Sequence, residues 1–171
     1  MAMAAGGTGI TKYTGNIVLD SVLTQEYSDA EAGGIVMDIN ALDGLGIELS
    51  DKEIVSLFAN LLDNARESCE RCRKNGGQAP LRIDISIKLL NKGPDPSDPS
   101  GPLGTWLLIE VENSKSETEH MDVDDMKTSK ADKANHGYGV AIICDIVRKY
   151  NGEIYMRDER DMFRTEIRIP L

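Results

Sequence analysis

The 171-residue chain is poor in cysteine and histidine, has no long apolar run, and lacks any excess of positive charge. Each shortage removes a class of protein. Three cysteines, an odd number in a chain of ordinary domain size, do not make a disulfide framework, and a reducing interior suits them better. Cys69 and Cys72 form a Cys-x-x-Cys, but no second cysteine pair or histidine cluster completes four zinc ligands, so they read as a thiol pair rather than a metal or redox centre. No stretch approaches the roughly 20 apolar residues that span a bilayer. Nineteen basic against 29 acidic residues give a net charge of -10, which opposes the phosphate neutralisation that nucleic-acid binding needs, so DNA and RNA are not expected as partners. Met1 to Gly9 has neither the basic start nor the apolar run of a targeting peptide, and residues 1–13 are expected to be a leader or disordered terminus.

What is present fits one soluble domain over residues 14–171, with 40% hydrophobic and 28% charged residues. Leu19, Val22, Leu23 and Tyr27 recur at helical spacing after Asn16, a suitable cap, and before Gly33-Gly34. Ile35, Met37 and Ile39 alternate with polar neighbours as in a strand. Ser50 and Glu53 then make a capping box, the serine accepting from an orphan amide and the glutamate reaching back. In the helix that follows, Ile54, Phe58, Leu61, Leu62 and Ala65 form an apolar stripe, while Asn60, Asn64 and Glu67 project from another side. Residues 81–89 and 106–112 read as two strands, expected to pair as a hairpin around the proline-rich 93–104 loop. The polar stretch 114–135 lacks a period and reads as a lid. Val140, Ile143, Cys144 and Val147 predict another helix, ended by Asn151-Gly152, and alternation in 154–156 and 163–169 predicts a terminal hairpin turning at Asp158 to Asp161. The order predicts an α+β fold, a two-layer α/β sandwich with helices on one face of a mixed sheet.

Two segments carry chemistry. His136-Gly137-Tyr138-Gly139-Val140 opens a helix, whose first-turn amides and positive dipole end, reached past two glycines, suit a phosphate. Lys127, Lys130 and Lys133 stand just before it in an otherwise acidic chain. Asn60-Leu61-Leu62-Asp63-Asn64 offers amide oxygens of the kind magnesium takes when it uses one or two protein oxygens and keeps its waters. Taken singly, a Gly-x-Gly before a helix is also a packing turn and a helical Asn-x-x-x-Asn also a pair of surface amides. Their combination, in this order and with a long polar segment between, points to a nucleotide site.

Leu57-Phe58-Ala59-Asn60-Leu61-Leu62-Asp63-Asn64-Ala65 resembles the N box, and His136-Gly137-Tyr138-Gly139-Val140 the second glycine box, of the GHKL superfamily of ATP-binding domains with the Bergerat fold. More closely the chain resembles sensor histidine kinases of the quorum-sensing and citrate-sensor type, on Thr14-Gly15-Asn16 through Leu23, Thr128-Ser129-Lys130 and Lys149-Tyr150-Asn151-Gly152-Glu153. The resemblance implies that Asn64 coordinates Mg2+ and Asn60 lines the same pocket. It implies that Gly137, Gly139 and their neighbours His136, Tyr138 and Val140 hold the phosphates of ATP, with 114–135 closing over it. Asn60 stands where one branch of the superfamily has a water-activating glutamate; an amide is no base, which favours phosphoryl transfer to a protein over hydrolysis.

Three positions depart from the pattern. The first glycine box, Asp-x-Gly-x-Gly, reads Asn113-Ser114-Lys115-Ser116-Glu117, leaving Asn113 to meet the adenine edge without a carboxylate's charge. Glu67 stands in place of a phosphate-binding lysine, so that Lys130 or Arg66 would supply the charge. The phenylalanine motif of the lid is not evident. A phosphoacceptor histidine on a dimerisation helix is missing too, since His120 falls in the lid and His136 in the glycine box. The chain thus reads as the ATP-binding catalytic domain of a bacterial two-component kinase, cytoplasmic part of a membrane-anchored sensor, monomeric in isolation, with a dimerisation domain and a response regulator as partners. Alternatives are a serine kinase of the anti-sigma type and a degenerate nucleotide-binding or interaction module.

Overall fold

The computed structural model describes residues 9–77, 80–92, 104–118 and 138–171. Among them are three helices and five strands: α1 Ile17–Ala32, β1 Val36–Ala41, α2 Asp51–Lys74, β2 Arg82–Lys92, β3 Gly104–Ser114, α3 Tyr138–Lys149, β4 Glu153–Asp158 and β5 Met162–Pro170. The strands form one sheet in the order β1-β2-β3-β5-β4, with β1 parallel to β2 and every other pair antiparallel. Met37, Ile83, Ile85, Ile87, Leu107, Ile109, Val111, Ile167 and Ile169 are buried on one face of it. Successive strand residues point to opposite faces, so Asp38, Asp84, Glu110 and Glu112 lie on the other, where Arg82, Lys88 and Arg164 pair with them. The helices therefore cover a single face, and the architecture is the expected two-layer α+β sandwich with a mixed sheet.

Helix α2 is the centre of the helical layer, packing on α1, α3, β2 and β3. Ile54, Leu57, Phe58, Leu61, Leu62 and Ala65 face the sheet and the other helices, all of them buried. Its start is fixed by the Ser50–Glu53 capping box, both halves of which are made. Helix α1 starts at the Asn16 cap, whose Oδ1 accepts from the amides of Val18 and Leu19 at 3.0 Å each. Buried Asp20 folds the preceding turn over itself, accepting from Thr14 N and Oγ1 at 2.8 Å each and from Gly15 N at 3.1 Å. The Thr-Gly-Asn run before α1 is thus a structural lock that also holds the Asp43-Gly44 turn through Gly44 N to Thr14 O.

At the end of α3 the left-handed residue is Asn151 (φ 53), a conformation asparagine tolerates better than most side chains. Gly152 serves close approach instead, since a Cβ there would come within 2.6 Å of Arg168 O. No described helix is long and apolar enough to cross a membrane. Ser114 closes β3 and does not open the 114–135 loop; Lys115 and Ser116 are buried and Lys115 N donates to Asp161 O at 2.9 Å. Residues 119–137, the proline-rich stretch 93–103, residues 78–79 and residues 1–8 lie outside the described residues, and with them Lys127, Lys130, Lys133, His120, His136 and Gly137.

Candidate functional site

Helix α2 carries the two asparagines one turn apart on a half-buried face. Asn60 Nδ2 donates back to Ser56 O at 2.6 Å, which fixes the amide with its oxygen turned away from its own helix backbone. The start of α3 comes against that oxygen. A Cβ placed on Gly139 would stand 2.8 Å from Asn60 Oδ1 and 3.4 Å from Asn64 Oδ1. Both amide oxygens therefore converge on the backbone of the first turn of α3, and the absent side chain is what lets that turn reach them. Tyr138 points away, 93% exposed, while Val140 is half-buried.

The polar line along α2 continues, but not through Glu67. That side chain is exposed and pairs with Arg71 at 3.8 Å. Ser68, one turn beyond Asn64, takes the inward place; it is buried and donates to Ser114 O at 3.3 Å. Asn113, 4% exposed at the end of β3, donates through Nδ2 to the same carbonyl at 3.0 Å. Asn60, Asn64 and Ser68 thus mark about 12 Å of helix at 1.5 Å per residue, with the α3 terminus at one end and Asn113 at the other. Thr165, buried on β5 opposite Val111, lies diagonal to Asn113 on the same face. Sequence patterning did not single out Ser68 or Thr165, because a lone hydroxyl within an apolar period carries no signal until its neighbours are placed.

Two cations fall differently from the sequence reading. Arg66 does not supply charge to the Asn60–Asn64 face: it pairs with Asp63 and lies 3.7 Å from Asp29 on α1. Lys115 is buried, with Nζ 2.8 Å from Asp158 Oδ1 and 3.2 Å from Ser116 O. Asp158 stands opposite Phe163, which stands opposite Asn113, so this ion pair lies in the same row of the sheet as Asn113. Glu26, buried on α1 beside Arg66, has its carboxyl pushed up to about 7, by burial first and by the charge of Asp63 second. Cys69 and Cys72 are buried free thiols, and burial raises Cys69 to about 11, which makes it a poor nucleophile.

A family model described as the GHKL domain matches residues 103–170, the stretch from β3 to β5. The fold is that of histidine kinase catalytic domains. The catalytic domain of the histidine kinase ThkA superposes with a TM-score of 0.61 at 15% identity, over 95% of this chain and 96% of that one. The Acinetobacter baumannii histidine kinase AdeS gives 0.61 at 13% identity, over 92% of this chain and 64% of that one. Full-length ShkA in complex with AMPPNP gives 0.62 at 12% identity, over 89% of this chain and 29% of that one. The chain thus has the size of the ThkA catalytic domain and spans less than two thirds of the AdeS chain. No curated protein matches it.

Proposed function

We propose that the chain is the catalytic ATP-binding domain of a two-component sensor histidine kinase, binding Mg-ATP and passing the γ-phosphoryl group to a histidine on a separate dimerisation domain. The observation that carries this reading is the convergence of the Asn60 and Asn64 amide oxygens on Gly139 at the first turn of α3. The donor set suits magnesium: neutral amide oxygens, with no cluster of three or more His, Cys, Asp or Glu among the described residues that would hold a metal on protein ligands alone. Asn64 would hold the ion and Asn60 would line the same pocket, where the metal supplies neutralisation of phosphate charge. The first-turn amides around Gly139 and Val140 face the phosphates, and Asn113 takes the base at the far end of the α2 stripe. Lys130, His136 and Gly137 are assigned to the phosphate end by their place in the sequence. An amide at position 60 is no proton acceptor for water, which favours transfer of the phosphoryl group to a protein acceptor held in line.

The superposition on ShkA, solved with AMPPNP, supports nucleotide binding in this fold. In this reading the domain works in the cytoplasm, a response regulator acts downstream, and the isolated chain is monomeric. The test is phosphotransfer in trans. Mixed with a cognate dimerisation domain and Mg-ATP, the chain is expected to label that domain's histidine with acid-labile phosphate, and Asn64→Ala is expected to abolish the labelling. Acid-stable phosphoserine on a partner would instead mark a serine kinase of the anti-sigma type.

One observation favours a second reading. Lys115, buried against Asp158 where the resemblance expects a glycine, occupies interior space next to Asn113. If that space is closed to nucleotides, the domain is a degenerate interaction module. Absence of AMPPNP binding at millimolar concentration would select it.

A further inference from the structure

Helix α3 is held to the rest of the domain in two different ways. Ile143, Ile146 and Val147, near its middle, are buried, and apolar contact of this kind attracts without direction. Direction comes from one residue. Among the described residues, every hydrogen bond or ion pair from a side chain of α3 or of Tyr150 to another element ends on Glu53 at the start of α2, which pairs with Lys149 and accepts from the Tyr150 hydroxyl. The remaining ion pair on the helix, Arg148 with Asp145, stays within it. Glu53 is itself placed by contacts three residues away, because its Oε2 accepts from Ser50 N and Oγ in the capping box, and its side chain is only 15% exposed.

The other end of α3 has no slack, since Gly139 lies so close to α2 that a Cβ there would stand 2.8 Å from Asn60 Oδ1. From Gly139 to Lys149 the helix is a rod of about 15 Å, at 1.5 Å per residue. A shift at Glu53 therefore arrives at the first turn almost undiminished. Sliding along the axis carries over in full, and tilting about the buried middle moves the two ends by similar amounts in opposite senses. A displacement of about 1 Å spoils contacts that need hydrogen-bond geometry. We propose that Glu53, acting through Lys149 and Tyr150, is a positioning residue for the nucleotide site, setting where the first-turn amides of α3 stand relative to Asn60 and Asn64. This rests on the proposed nucleotide-binding function and adds to that site a determinant lying one helix length from it.

The test is calorimetric titration of the intact chain with AMPPNP in excess magnesium, well below the melting transition. Glu53→Gln, which keeps the side chain's size and removes its charge, is expected to weaken AMPPNP by about fivefold, and Tyr150→Phe by about twofold, the scale of one hydrogen bond or less. Asn16→Ala, which removes the α1 cap, is expected to lower the melting temperature and leave the affinity unchanged. In the double variant Glu53→Gln, Gly139→Ala the loss is expected to equal that of Gly139→Ala alone, because the alanine has already displaced the turn through which Glu53 acts. Losses that multiply in the double variant overturn the positioning role, and so does AMPPNP bound by Glu53→Gln as tightly as by the unaltered protein; both leave the nucleotide site standing. Equal weakening by Asn16→Ala shows that affinity follows overall stability and also overturns it. No AMPPNP binding by the unaltered protein overturns the nucleotide reading itself, and the positioning role with it.

Discussion

Tyr150 donates its hydroxyl to Glu53 Oε2 at 2.7 Å, joining the C-terminal end of α3 to the N-terminal cap of α2. The same carboxylate accepts from Ser50 N at 3.0 Å and from Ser50 Oγ at 2.6 Å, and it pairs with Lys149. One side chain thus caps its own helix and ties down the neighbour whose other end meets Asn60.

These partners, Lys149 first, then Ser50 and Tyr150, hold the Glu53 carboxyl well below its usual range. A lowered acid stabilises the fold above its unfolded value of about 4.5 and loses that contribution as pH falls towards the folded one. The melting temperature of the unaltered protein is expected to drop below pH 4.5, and Glu53→Gln is expected to flatten that slope; parallel slopes would refute the assignment. Tyr150→Phe should lower the melting temperature at pH 7 by about 3 °C.

Gly139→Ala places a methyl group where Asn60 Oδ1 stands, 2.8 Å from the ideal Cβ. Because Asn60 is anchored to Ser56 O, either that bond breaks or α3 shifts. Magnesium-dependent AMPPNP affinity is expected to fall by about tenfold or more, the cost of one misplaced charge-assisted contact. Far-ultraviolet circular dichroism should stay unchanged. Full affinity in the alanine variant would mean that the two asparagines do not belong to the site.

Glu26 has the opposite pH sign to Glu53. Burial raises its carboxyl from about 4.5 to about 7, so the unfolded chain ionises first and stability declines as pH rises through that window. Glu26→Gln is expected to remove the decline and to melt about 2–4 °C higher than the unaltered protein at pH 8, with little difference at pH 4. Differential scanning calorimetry at the two values decides it.

Lys115→Met takes away the ammonium that Asp158 Oδ1 faces at 2.8 Å in the interior. Breaking a buried pair from one side costs about 3 kcal/mol, or about 6–12 °C in a domain of this length. The double variant Lys115→Met, Asp158→Asn is expected to recover most of that loss. Equal melting of the single and double variants would show that the pair is not coupled.

The legible parts of this fold were local. Ser50 and Glu53 announced the start of α2 because their spacing alone makes a capping box, and the alternation in 81–89 and 163–169 placed Leu81 to Ile87 and Phe163 to Ile169 inward, though Leu89 is exposed. Helical periodicity set Asn60 and Asn64 off the apolar stripe on a side shared with Glu67, and it could not choose Ser68 over Glu67 as their successor. That choice is made by Ser114, forty-six residues downstream of Ser68. Lys115 sat in a polar run with every sign of solvation, and Asp158 at the end of β4 and Asp161 in the turn after it hold it inside. Arg66 was similarly ambiguous, since the acids that claim it lie on α1 as well as on its own helix.

Asn60 and Gly139 touch although almost half the chain separates them, and Asn113 comes from the stretch between. Such a site has high contact order: closing it means bringing α2, β3 and α3 together, so it cannot form ahead of the whole domain. Any ligand that bridges these three elements therefore acts on the global unfolding equilibrium and not on a local flap. Heat resistance gained on adding a nucleotide becomes a direct gauge of how completely this chain has folded.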